Sequence, residues 1–347
     1  NTLYLNFLSM KAVFVIALIA LFAVLALASK EKLAYYEKMV DSINNSPTTT
    51  WRAELNSDLV NDFAAIRSSL GDLSVGTKLQ NVKTSGWKID AKDLPTNFFA
   101  ADKWAECSNL MRTVHDQSAC GSCWAVSAAA AATERHCIKA KSSDLFLSSR
   151  DLLSCCSNCG FGCEGGYPSS AWSYFVQKGL PSGHPDSTNN SLCVRYPFLS
   201  CKHHVDGTPQ CSDYDFDTPK CQTSCDSDST WPVKYADDKV KFSSSYGVYG
   251  EQNIMKELVE NGPMTVSYTV YEDFMQYKSG IYKHTTGRSL GGHAVTLEGY
   301  GVDAATGTKY WIIKNNWNNS WGEAGYFRII RGVDNCGIES GANAGLP

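Results

Sequence analysis

All fourteen cysteines of this 347-residue chain fall between Cys107 and Cys336, and the first hundred residues hold none. No other feature restricts the fold so tightly. Cysteine at this density belongs to an oxidising compartment, where paired thiols staple loops that a hydrophobic core alone would not hold. The cysteine-free start is therefore a segment of a different kind from the rest. An apolar content of 43% supports a sizeable core over one or two domains. The net charge of −4, with no basic run, argues against a nucleic-acid partner.

Lys11 precedes an apolar run from Ala12 to Leu27 that ends in Ala26-Leu27-Ala28. A basic start, a short apolar stretch and an A-x-A ending read as a secretory signal peptide. The run is short of the roughly 20 residues a membrane span needs, so no span is expected; an anchor or a buried helix is the competing reading. Met10 is the expected initiator, with residues 1–9 upstream of it. Residues 1–28 are thus read as upstream residues and signal peptide, cleaved near Ala28. Residues 29–92 are polar and rich in Ser, Thr and Asn, with short amphipathic helices expected over Leu33 to Ile43 and Leu59 to Ile66. Such a segment buries little by itself and suits a propeptide lying on a partner surface; a flexible tail is the alternative.

From Leu94-Pro95 the pattern changes, and residues 93–347 read as one unit. The Ala-rich stretch Cys123 to Ala140 predicts a helix. Ser148-Ser149-Arg150-Asp151 resembles a capping box opening a second. Pro168 to Lys178, stopped by Gly179, is a third, and Glu251 to Glu260, ended by Gly262-Pro263, a fourth. Extended runs rich in Val, Ile, Tyr and Thr follow at Met264 to Tyr271, His293 to Tyr300, Lys309 to Lys314 and Tyr326 to Arg331. A helix-rich half meeting a strand-rich half implies two packed lobes with a cleft between them.

Gln117-Ser118-Ala119-Cys120-Gly121-Ser122-Cys123-Trp124 carries the sharpest chemical signal. Cys123 opens the first predicted helix, where free N–H groups and the helix dipole favour an anion. A thiolate there has a lowered pKa and is the reactive form of the residue. Competing readings are a C-x-x-C redox pair and half a zinc site. His293, in Gly291-Gly292-His293-Ala294-Val295, is the candidate base, since imidazole can take the thiol proton and return it to a leaving amine. Asn315, followed by Asn316-Trp317, is the candidate orienter of that imidazole. Gln117 would donate its amide to an oxyanion beside the Cys123 N–H.

C-G-S-C-W is the signature around the papain and cathepsin nucleophile, and these segments resemble the papain superfamily. The interval from Cys123 to His293 exceeds the roughly 130–150 residues usual for the family by about 20–40. The extra stretch, Cys193 to Cys225, contains Cys201-Lys202-His203-His204 and Pro209-Gln210-Cys211. It is similar to the occluding loop of the cathepsin B-like branch. The resemblance runs from about Leu94 to the C-terminus and, more weakly, to Thr49-Thr50-Trp51 in the pro-region. It implies an α+β, papain-like two-lobed fold with a helical left lobe and a β-barrel-like right lobe. The implied activity is a secreted or lysosomal cysteine endopeptidase with peptidyl-dipeptidase activity, made as a zymogen and needing no cofactor or metal. The implied partners are protein and peptide substrates, its own propeptide as inhibitor and cystatin-type inhibitors, with the enzyme a monomer. A catalytically inactive binding homologue is the alternative.

By the same resemblance, His203 and His204 would bind a substrate C-terminal carboxylate, and His203 would pair with Asp116 to latch the loop. Gly165 and Gly166 would meet substrate backbone. Tyr167, Pro168, Gly292, Ala294 and Gly341 would line the S2 pocket, and Trp317 would flank the site. The chain also departs from the family. The second loop latch lacks its Arg, and Ser320 stands at the position of its Asp, so the loop is expected to open more readily. Gly341 replaces the Glu of mammalian members, which implies weak acceptance of Arg at P2 and preference for Phe, Leu or Val. Glu164 and Asn316 stand where the family usually has Asn and Ser, and both changes are expected to be tolerated. The implied disulfides are Cys107–Cys137, Cys120–Cys163, Cys155–Cys221, Cys156–Cys159, Cys193–Cys225 and Cys201–Cys211, leaving Cys123 and Cys336 free. A zinc site at Cys156, Cys159 and Cys163 is the competing reading, and metal at His203-His204 a further one. Of the sequons at Asn44, Asn189 and Asn318, Asn189 is the expected glycosylation site because its surroundings are loop-like.

Overall fold

The computed structural model describes residues 27–56, 66, 69–79, 81–141, 145–203, 209–213 and 216–347. Most of the expected signal peptide, most of the expected helix at Leu59 to Ile66, and His204 lie outside the described residues. The N-terminal segment starts with helix α1 (27–44) and a short strand β1 (Trp51–Ala53). After β2 (Phe98–Phe99) and two short helices, α2 (Ala100–Lys103) and α3 (Ser108–Arg112), the chain enters the long helix α4 (Cys123–Ala140). Its limits coincide with the alanine-rich stretch. Side chains this small allow neighbours on every side, and all residues from Cys123 to Arg135 are buried. Helices α5 (Ser149–Cys155) and α6 (Pro168–Gln177) pack on it, joined by a core that includes Trp172, Phe175, Leu180, Tyr196 and Phe242. Ser148 caps α5, its Oγ accepting the Asp151 N–H at 3.1 Å. Pro168 occupies the first position of α6, and Gly179 follows it at φ +74°, a conformation that favours glycine.

The second half holds β3 (Ser244–Val248), α7 (Glu251–Asn261), β4 (Met264–Tyr271), β5 (Tyr277–Tyr282), β6 (Ser289–Val302), β7 (Lys309–Lys314), β8 (Tyr326–Ile330) and β9 (Ala342–Leu346). They form one mixed sheet in the order β1-β5-β8-β7-β6-β4-β9-β3, with β2 added on β6. Among the described residues the path has two ends, β1 and β3, so the strand-rich lobe is an open sheet and not a closed barrel. Three of these strands escaped the sequence reading. Tyr277-Lys278-Ser279-Gly280-Ile281-Tyr282 is broken by glycine, Ala342-Asn343-Ala344-Gly345-Leu346 is small, and Ser244 to Val248 lacks alternation; none carries the usual β signal.

A second core, built on Val266, Tyr268, Phe274, Trp311, Ile313, Trp317 and Phe327, belongs to the sheet. Between the two cores lies a buried ionic cluster. Lys314 Nζ donates to Met111 O at 2.7 Å, meets Glu298 at 2.8 Å and also pairs with Glu134. It ties β7 to α3, β6 and α4. Six disulfides complete the frame: Cys107–Cys137, Cys120–Cys163, Cys155–Cys221, Cys156–Cys159, Cys193–Cys225 and Cys201–Cys211. Cys123 and Cys336 carry free thiols. Among the described residues no helix is long and apolar enough to cross a membrane.

Candidate active site

Cys123 stands at the N-terminus of α4 and is fully buried, and His293 lies on β6. Asn315 follows directly on β7, with its N–H held by Gly325 O at 2.9 Å. The Asn315 Oδ1 lies 2.8 Å from His293 Nε2 and also accepts the Asn316 N–H at 2.9 Å. Trp317 stacks on the imidazole with ring centres 4.6 Å apart. The opposite ring nitrogen, Nδ1, has no hydrogen-bond partner among the described residues. The backbone N–H groups of Ala294, next to His293, and of Trp124 and Gly71 approach the Cys123 sulfur and act to lower its pKa.

Gly71 belongs to the N-terminal segment, whose residues 69–74 run through the site. Gln117 Nε2 donates to Ser69 O at 2.8 Å and to Cys120 O at 2.7 Å. Gly166 N–H donates to Gly71 O at 2.8 Å, and Leu73 N–H to Gly166 O at 3.0 Å, a parallel pairing. Asp72 N–H donates to Gly292 O at 3.1 Å. The approach is close enough that Cβ atoms added at Gly71 or Gly292 would lie 1.7 Å from Gly121 O or 2.2 Å from Asp72 O. Leu73 covers Gly165, and Ser74 Oγ lies 3.3 Å from Ser267 Oγ, whose backbone N–H is held by Gly341 O. Tyr167, at the mouth of α6, lines a cavity of about 530 Å³ with Trp172, Tyr246, Asn343, Thr77 and Lys78; buried Pro168 follows it.

The expected lowered thiol pKa is not what this arrangement yields. Burial beneath the N-terminal segment, together with the charge of Asp72, pushes the Cys123 thiol up to about 12. The three N–H donors, the helix N-terminus included, oppose this and are outweighed. Burial lowers His293 to about 3, against the opposing Asn315 bond and with His203 adding to the fall. With the segment in place the pair is a neutral thiol and a neutral imidazole.

The loop lies beside this centre. His203 Nε2 is 2.6 Å from Asp116 Oδ1, both buried. Asp116 also accepts the N–H groups of Ser118 at 2.7 Å and Cys201 at 2.9 Å. Burial alone would raise its carboxyl, but His203 and these N–H groups hold it below the ordinary range. A tie the sequence reading missed is Asn318, whose Nδ2 donates to Asp116 Oδ2 at 3.2 Å and to Cys201 O at 2.9 Å. Nothing in the local sequence marks it, since its partners are remote in the chain. Cys201, His203 and Cys211 cluster as metal ligands would, but the two sulfurs form a disulfide. The zinc reading of Cys156, Cys159 and Cys163 fails likewise, because each is spent in a disulfide. At Asn189 the Oδ1 accepts the Ser191 N–H at 3.0 Å on a partly exposed loop.

Residues 96–346 match the model of the papain family cysteine proteases. The chain is 39% identical over 342 residues to the cathepsin B-like cysteine proteinase 4 of Caenorhabditis elegans, covering 97% of this chain and 99% of that one. It is 39% identical over 317 residues to a cathepsin B-like cysteine proteinase of Schistosoma japonicum, covering 89% and 90%. Among solved structures, procathepsin B S9 from Trypanosoma congolense superposes with a TM-score of 0.73 at 36% identity, covering 89% of this chain and 97% of that one. These likenesses extend over nearly the whole length, and the chain belongs to the papain family of cysteine proteases, in its cathepsin B-like branch.

Proposed function

We propose that this cysteine peptidase is a zymogen whose mature form cleaves peptide bonds through Cys123, His293, Asn315 and Gln117. The observation that carries the reading is the seating of residues 69–73. A peptide main chain lies on the Cys123 sulfur, with a carbonyl on Gln117 Nε2 and with Gly166 and Gly292 pairing to its backbone. A substrate chain would meet the same donors. With the cleft uncovered, Cys123 gives its proton to His293 Nδ1 and attacks the scissile carbonyl. Gln117 and the Cys123 N–H receive the developing oxyanion. The C–N bond breaks as His293 returns the proton to the leaving amine. Water, deprotonated by His293, then releases the acyl group and restores the thiol.

Residues 29–92 act as the propeptide, and 93–347 as the peptidase. The run from 81 to 97 is largely exposed, as a cleavage region must be. Secretion and an acidic, lysosome-like or extracellular destination follow from the signal peptide and the disulfides, and glycosylation falls on Asn189. The pocket at Tyr167, Pro168, Gly292, Ala294 and Gly341 prefers Phe, Leu or Val at P2, because no carboxylate stands at Gly341. The loop of about 193–225, through His203 and His204, adds peptidyl-dipeptidase activity, with a larger endopeptidase share than in relatives with two loop latches.

The full chain should convert in acid to a form starting near Leu94, label with an epoxide probe, and lose all hydrolysis as Cys123→Ala. A Cys123→Ala chain that still hydrolysed peptides would overturn the reading. Quenched peptides with free and blocked C-termini measure the dipeptidase share; strong preference for the free carboxylate would refute the predicted balance. Gly341→Glu should gain cleavage of peptides that carry Arg at P2.

A further inference from the structure

Strands β6 and β7 pair antiparallel with Thr296 opposite Lys314. Two residues further along the same register, Ala294 would face Asn316, and a regular ladder would join their backbones by two hydrogen bonds. Neither bond forms. β7 ends at Lys314, the Asn316 N–H turns to Asn315 Oδ1, and the Asn316 carbonyl accepts the Gln117 N–H at 2.9 Å. The Ala294 N–H, freed from the ladder, is left to approach the Cys123 sulfur, where it acts to lower the thiol pKa. The Ala294 carbonyl, also buried, is taken by the Asn316 side chain, whose Nδ2 donates at 3.0 Å. The side chain has replaced its own backbone N–H in the ladder.

We infer that Asn316 is a positioning residue for the cysteine-protease reaction, its carboxamide holding the Ala294 peptide so that the N–H of that peptide stays aimed at the Cys123 sulfur. The inference rests on Cys123 being the nucleophile. Without the Nδ2 donor the buried Ala294 carbonyl has no partner, and a peptide plane held at one edge only can turn to seek one. Its N–H then leaves the sulfur, and His293, one residue away on the same strand, loses register with the thiol. The thiolate is the form that gains from an N–H donor, so its loss raises the thiol pKa. The other titratable groups that act on Cys123 are Tyr268 on β4, Tyr196, and Asp72 of the N-terminal segment, with His293 next to Ala294 on β6. Asp72 departs with the segment, and the rest are common to wild type and variant.

The test compares wild type, Asn316→Ala and Asn316→Leu, the last close to Asn in shape but without a donor. All are matured from the full chain with pepsin in acid, so that processing does not depend on the variant's own activity. We expect kcat to fall about tenfold with KM within about twofold, the signature of lost alignment rather than lost binding. The inflection of iodoacetamide alkylation against pH should rise by about half a unit, and Asn316→Ser, which keeps a short donor, should recover part of both. If Asn316→Ala does not fold, Asn316→Leu carries the comparison. Unchanged kcat and an unchanged alkylation inflection, even with a lowered melting temperature, would reduce Asn316 to a structural role and overturn the inference. Wild-type activity that survives Cys123→Ala would instead sink the peptidase reading itself.

Discussion

Asp72 puts a carboxylate near the Cys123 thiol with little to stabilise its charge. It is buried, its Oδ1 accepts from Ser74 N–H at 2.8 Å and Ser74 Oγ at 2.5 Å, and its Oδ2 has no hydrogen-bond partner among the described residues. Burial raises its carboxyl above the ordinary range, against the hydrogen bonds from Ser267 and Ser74. The sign follows directly. A group whose pKa rises on seating contributes fully to binding below its ordinary pKa, and the contribution is lost as pH climbs through the raised value. The isolated segment 27–92, added to mature enzyme, should therefore inhibit less well as Asp72 ionises. Asp72→Asn should not show this loss, and the ratio of wild-type to variant Ki, in which other titrations cancel, should grow toward neutral pH by about tenfold per unit of raised pKa. A ratio flat between acid and neutral pH would contradict it. Gly71→Ala tests the close approach: with a Cβ clashing against backbone, the segment should lose most of its potency.

At the scale of the elements, the junction of α3, α4, β6 and β7 depends on Lys314. Glu134 and Glu298 are buried beside it, and burial raises both carboxyls, while their charges raise the lysine in spite of burial. Two carboxylates facing one ammonium hold a shared proton. Lys314→Met would leave both acids without their cation, at a cost of about 3–5 kcal/mol. A drop of that size in denaturant unfolding checks it; a change below about 1 kcal/mol would show the pair content to stay neutral. Because both carboxyls are raised, the cluster's contribution is retained in acid and fades as pH rises through the raised values.

Over the whole molecule, the N-terminal segment is fastened at four places. Tyr35 and Tyr36 of α1 donate to Glu272 at 3.2 and 3.3 Å, β1 pairs with β5, residues 69–75 fill the cleft, and Lys83 and Trp87 bond Glu257 at 2.8 and 2.7 Å. Glu272 responds to pH opposite to Asp72. Burial would raise it, but Arg288 and then Tyr35 hold it low, so its support for α1 is present above the ordinary carboxylate range and lost as pH falls through the lowered value. Only the share owed to Tyr35 leaves with the segment. Glu272→Gln, which removes the charge at every pH, should move the midpoint of acid maturation of the full chain upward by about half a unit, read as conversion on a gel across a pH series. An unmoved midpoint would exclude Glu272 from release.

The residues near one another in the chain announced their own structure. Cys123–Ala140 and Met264–Tyr271 begin and end where composition and periodicity place them, because propensity, capping and glycine stops act within a few residues. The proposed nucleophile Cys123 and its proposed partners His293 and Asn315 were singled out from short local patterns, since each pattern's chemistry is local. Asp72, Asn316 and Asn318 carried no such signal. Ser69 meets Gln117 across 48 residues, Asn316 meets Ala294 across 22, and Asn318 meets Cys201 across 117. Which carbonyl each amide finds depends on where separate strands and loops come to rest. The charge on Cys123 follows the same division: the helix N-terminus that favours a thiolate can be read from the order of residues, but the burial and the neighbouring carboxylate that hold it as a thiol exist only once a remote segment is folded across it, because desolvation is a property of what surrounds an atom and not of its place in the chain.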